Sequence, residues 1–203
     1  MSIVLVLTTP RSGSTWFCST YLIHGNSTPG QEIITPLYPG YTHVGEVYTH
    51  MTSAIREQSS GFLIKGNCNT VVKLFPHNVQ TAVPGRYSAI VTAAEKIYIL
   101  VRKDFNAQLR SMYIAEQYHS YTTEDLPPRS VRYNAADYVR NRGFLQESLV
   151  KLAAIWRKYP HAELVYLEDL PRSGQYHQPV TWDQEPPVID FDTERLFNRY
   201  IAA

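Results

Sequence analysis

Apolar residues recur along this chain in two rhythms. Apolar runs, rich in β-branched side chains, stand at residues 3–7 (Ile-Val-Leu-Val-Leu), 71–75 (broken only by Lys73), 97–101 and 164–167. Short runs without polar alternation predict strands covered on both faces, as in a parallel sheet. Between them the spacing changes to the helical one. Residues 14–23 follow the first run and read as a helix. In 105–116 the apolar positions Phe105, Leu109, Met112 and Tyr113 share one helix face, with Asp104 set to cap the start. Residues 143–158 carry a second stripe, Leu145, Leu149, Leu152, Ile155 and Trp156, ended by Pro160. These stripes are core faces. Three stretches lack either rhythm: 25–45, the polar proline-bearing 120–132, which reads as a lid, and 171–187 with four prolines.

Strands alternating with helices predict an α/β fold, with a parallel sheet of about four or five strands flanked by helices. At 203 residues the chain fits one domain, spanning 1–203. Hydrophobic residues at 44% and charged residues at 18% exclude a disordered chain. A net charge of +1 argues against bulk electrostatic binding to nucleic acid or an anionic membrane, so any anion site must be local. The apolar start ends after about seven residues, short of a signal peptide, and no run reaches the roughly 20 residues of a membrane span. Cys18 and Cys68 have no metal-type spacing and read as a reduced pair. A cytoplasmic protein without stable membrane insertion is expected. No metal-ligand cluster is legible.

The informative stretch is Thr8-Thr-Pro-Arg-Ser-Gly-Ser-Thr-Trp16, between the first strand and the first helix. Backbone N–H groups and the positive helix end converge there, which suits phosphate or sulfate. Gly13 permits close backbone approach, Ser12, Ser14 and Thr15 supply hydroxyls, and Arg11 supplies a fixed charge. The Gly-x-x-x-x-Gly-Lys string of a Walker loop is absent. Lys73 stands inside an apolar strand, where a lysine is costly unless it points into a polar cleft.

Pro10-Arg-Ser-Gly-Ser-Thr-Trp16 resembles the 5′-phosphosulfate loop of sulfotransferases that use PAPS (3′-phosphoadenosine 5′-phosphosulfate). Leu100-Val-Arg-Lys-Asp-Phe-Asn-Ala-Gln-Leu-Arg-Ser-Met-Tyr113 resembles the family's 3′-phosphate segment, most closely that of bacterial glycolipid (trehalose-type) enzymes. Val165-Tyr-Leu-Glu-Asp-Leu170 is similar to a third family string. The resemblance implies a P-loop-like fold, PAPS as co-substrate, PAP as product, no metal, and a carbohydrate, glycolipid or other hydroxyl acceptor as the partner. It implies that residues 11–16 (Arg11, Ser12, Gly13, Ser14, Thr15 and Trp16) hold the 5′ end. Lys103 and Ser111 would hold the 3′-phosphate, with Arg102 as the alternative to Lys103. Arg11 and Lys73 would steady the reacting group.

Thr28-Pro-Gly-Gln-Glu32 follows the first helix, where those enzymes share a turn and a Glu, so Glu32 is the expected base. His50 and His77 are next in line and His43 is weaker. A C-terminal Arg-Lys-Gly type segment, common in relatives, is missing; Arg172 or Arg129 would have to substitute. Two other readings stay open: a non-catalytic module of the same fold that binds a phosphorylated nucleotide or a partner, and a degenerate P-loop kinase.

Overall fold

The computed structural model describes residues 3–24, 37–38, 42–44, 70–76, 91–92, 94–119, 130–171 and 180–201. Five strands form one all-parallel sheet: β1 (Ile3–Thr8), β2 (Thr42–Val44), β3 (Thr70–Leu74), β4 (Lys96–Val101) and β6 (Glu163–Tyr166). Their order is β2-β3-β1-β4-β6. Val6 stands level with Lys73 of β3 on one side and Tyr98 of β4 on the other. The first apolar run is therefore the centre of the sheet, and all six residues of β1 are buried. The chain builds to one side of β1 through β2 and β3, then crosses to the other side for β4 and β6. Such a reversal opens a crevice at the carboxyl ends of the central strands.

Alternate residues of the strands face two separate cores. On one face Val4, Val6, Val71, Tyr98 and Leu100 pack against Phe17, Cys18, Leu22 and Ile23. Those four belong to the segment after β1, which opens as α1 (Ser14–Trp16) and continues as a wider π-type winding over Phe17–His24. On the other face Leu5, Leu7, Val72, Ile99 and Val101 pack against α2 (Phe105–Tyr118) and α3 (Ala135–Lys158). As expected, the Asp104 carboxylate caps α2, accepting from Ala107 N–H at 2.8 Å.

Helix α3 starts eight residues before the apolar stripe predicts. Asn134 caps it, its Oδ1 accepting from Ala136 and Asp137 at 2.9 and 3.2 Å, and the first turns bury Tyr138 and Asn141. A polar residue used as a core position hides the period. Four further elements, two of them a pair, are absent from the sequence reading. One is β2, inside the stretch read as irregular. The next is a short parallel pair, β5 (Ser130–Val131) with β7 (Thr181–Trp182), which touches both proline-bearing stretches. The last is α4 (Thr193–Ile201), whose Phe197 reaches the core. Among the described residues no helix is long and apolar enough to cross a membrane.

Candidate functional site

The loop after β1 leaves the sheet at the crevice and is built as a rigid shelf. Thr8 Oγ1 donates to the Leu100 carbonyl at 2.8 Å and lies 2.5 Å from Ser12 Oγ. A hydroxyl has one proton to give, so Ser12 must be the donor to Thr8. Ser12 is fully buried and its hydroxyl proton is spent inside the loop. Gln108 of α2 pins the loop from the other side, its Nε2 donating to Thr9 Oγ1 at 2.8 Å and to the Pro10 carbonyl at 2.6 Å. The carbonyl acceptor fixes which way that amide points.

Two residues of the loop have left-handed backbones, Arg11 (φ 59°) and Gly13 (φ 81°). At Gly13 a Cβ would stand 2.7 Å from Leu167 Cδ2, the movable end of a side chain, so it is the left-handed conformation that calls for glycine. At Arg11 no such allowance exists. A non-glycine residue held there costs of order 1–3 kcal/mol, which the surrounding structure must sustain. Arg11 Nε donates to Ser111 Oγ of α2 at 3.0 Å. Ser14 is buried at the helix start, Thr15 is exposed beside it, and the Trp16 ring lies 6.2 Å from Tyr21.

Lys73 enters from β3. It shares strand parity with Val71, so it lies under α1, and its Nζ donates to Thr15 Oγ1 at 3.4 Å and stands 5.7 Å from the Phe75 ring centre. Burial makes the ammonium less favourable and moves its pKa below the ordinary 10.5. The neighbouring Cys18 thiol is pushed up to about 12 by its own burial. Because the folded protein holds the Lys73 proton less tightly than the unfolded chain, this group depresses stability at neutral pH. The penalty fades as pH rises toward 10.5. Cys18 works in the opposite sense above 9.0 and is itself lowered by Lys73, so the comparison below is made under pH 9.0. Lys73→Met should therefore melt above wild type at pH 7, with the gap narrowing as pH rises. A pH-independent gap in melting temperature would show that the charge is compensated in the folded state.

No family model and no curated protein matches this chain. The geometry must therefore speak for itself, and it divides the expected residues into groups. Arg11, Gly13, Ser14, Thr15, Lys73 and Ser111 converge on the crevice around the β1 loop. Trp16 flanks it. Arg102 and Lys103 turn onto carboxylates instead. Arg102 Nε lies 3.5 Å from Glu168 Oε1, while Lys103 Nζ lies 2.8 Å from Asp169 Oδ1 and 3.2 Å from Glu194 Oε1. Glu32, His50, His77, Arg129 and Arg172 lie outside the described residues, and of His43 only the β2 backbone is described.

Two contributors escaped the sequence reading. Gln108 holds the loop, although it stands inside the segment quoted for the second resemblance. Glu168 caps the turn between β4 and α2, its carboxylate accepting from Lys103 N–H at 2.9 Å and Asp104 N–H at 3.4 Å. The third resembling string thus has a structural task. The converging cations and hydroxyls suit an anionic ester, with Arg11 carried by the loop itself and Lys73 by β3.

Proposed function

We propose that this chain is a PAPS-dependent sulfotransferase with a single P-loop-like domain over residues 1–203, moving a sulfuryl group to a hydroxyl of an acceptor. One observation carries the reading: the Arg11–Ser111 bond of 3.0 Å joins the two segments, 100 residues apart, that resemble the family's 5′ and 3′ sites. PAPS would supply an activated sulfuryl group whose transfer needs positioning and charge stabilisation more than covalent chemistry. The donor set fits it, offering two cations and several hydroxyls beside a left-handed, glycine-containing turn.

In this reading the loop backbone, Ser14 and Thr15 bind and orient the 5′ end. Lys73 steadies the negative charge that develops there, and its desolvation strengthens that attraction. Thr15, donor or acceptor as required, keeps the Lys73 ammonium at the mouth of the crevice. Glu32 is proposed to take the acceptor's proton. The enzyme would work without metal, in the cytoplasm, and would release PAP. Calorimetric binding of PAP tests the reading at its base.

A further inference from the structure

Helix α3 has two unlike sides. Leu145, Leu149 and Leu152 bury one side in the core, and α2 and α4 pack along the helix. The other side faces out. Among the described residues six large hydrophobic side chains are exposed, and three of them, Val139, Phe144 and Val150, stand on this helix. Single apolar residues scattered over a surface need no explanation, whereas a concentration on one element marks a contact surface. At about 100° per residue, Ala136, Val139, Gly143, Val150 and Ala154 fall within about 60° of one another. They form a stripe about five turns long.

Gly143, in the middle of that stripe, is an independent sign. In a helix interior glycine costs about 0.8–1 kcal/mol relative to alanine. Its backbone is helical, so no left-handed turn calls for it. A Cβ added there would meet nothing within 4 Å, so no neighbour in the chain calls for it either. What the missing side chain permits is the close approach of a second backbone from outside.

The charges beside the stripe say which backbone. Arg140 and Glu147 border it on one side, with side chains 60% and 65% exposed. Arg140 pairs with Asp137 at 2.7 Å and Glu147 with Lys151 at 2.5 Å, and both still face solvent. Lay a second copy of α3 antiparallel, with the two-fold axis level with residue 144. Val139 then stands opposite Val150 of the second copy, and Arg140 opposite its Glu147, each level to within about 1.5 Å. The two-fold repeats both pairs, and Gly143 comes opposite Gln146 near the axis. A parallel copy would instead set Arg140 level with Arg140 and Glu147 level with Glu147. With 24 residues α3 is about 36 Å long, enough to form the centre of a modest interface.

We infer that the outer face of α3 is a self-association surface. A second copy of this chain docks on it antiparallel, through Val139, Gly143 and Val150, with Arg140–Glu147 pairs flanking the seam.

Sedimentation equilibrium over about 1–100 µM protein tests this, in the range where an interface of this size associates. Wild type is expected to pass from monomer to dimer across that range. Gly143→Leu should stay monomeric, yet melt no lower than wild type when both are dilute, because leucine is the better helix former. Arg140→Glu and Glu147→Arg should each weaken the dimer by about tenfold or more, since each sets like charges together twice. Mixing those two variants should restore a dimer within about threefold of wild-type strength, because the heterodimer recovers both opposite-charge pairs. A wild type that remains monomeric at the highest concentration overturns the inference. So does a dimer that Gly143→Leu leaves intact, which would place the interface elsewhere. A mixture no tighter than its separate components overturns the antiparallel arrangement and the self-complementarity that motivates it.

Discussion

Glu32→Gln is expected to lower turnover by about 10²–10⁴-fold, the range a positioned general base contributes, while PAP binds as in wild type. The substitution keeps size and removes the proton-accepting charge, so it separates chemistry from packing. Transfer of ³⁵S from PAPS, to the acceptor or to water where none is yet in hand, reads the rate, and calorimetry reads PAP. The motive is the Thr28-Pro-Gly-Gln-Glu32 turn after the first helix. Near wild-type turnover in the Gln variant would move the base elsewhere, with His77 and His50 the next to replace.

Arg11 gives the second large effect, and two substitutions give it a distinctive sign. Removing a charge-assisted hydrogen bond to phosphate costs about 1.5–3 kcal/mol, or roughly ten- to a hundredfold in PAP affinity. Both Arg11→Ala and Arg11→Gly should show that loss. They should differ in stability. The left-handed backbone at φ 59° suits glycine and not alanine, so Arg11→Gly should melt above Arg11→Ala by the equivalent of about 1 kcal/mol. Equal melting temperatures would mean that the backbone relaxes once the guanidinium is gone. Unchanged PAP affinity in both would remove Arg11 from the site.

The strands and the loop were legible because their physics is local. A buried parallel strand needs an apolar run, and 3–7, 71–75, 97–101 and 164–167 each lie within a residue of β1, β3, β4 and β6. The strand–loop–helix order around Arg11 and Gly13 was legible for the same reason. What escaped depends on distant partners. The start of α3 buries Asn141, which no apolar period reveals. β5 and β7 have two residues each and exist only as a pair. The ion pairs of Lys103 with Asp169 and Glu194, 66 and 91 positions further on, leave no mark in the local pattern. The bond between Ser12 and Thr8 is likewise invisible in the sequence. Pattern reading found which segments meet, and only the fold determines which side chains are already spoken for.

The most direct measurement of the central claim is calorimetric titration of the wild-type protein with PAP and with ATP, each with and without Mg²⁺. A PAPS-dependent enzyme built on Arg11, Lys73 and Ser111 should bind PAP at least tenfold more tightly than ATP, with no dependence on Mg²⁺. Binding of ATP that equals or exceeds that of PAP and strengthens with Mg²⁺ would contradict the account and point to a kinase.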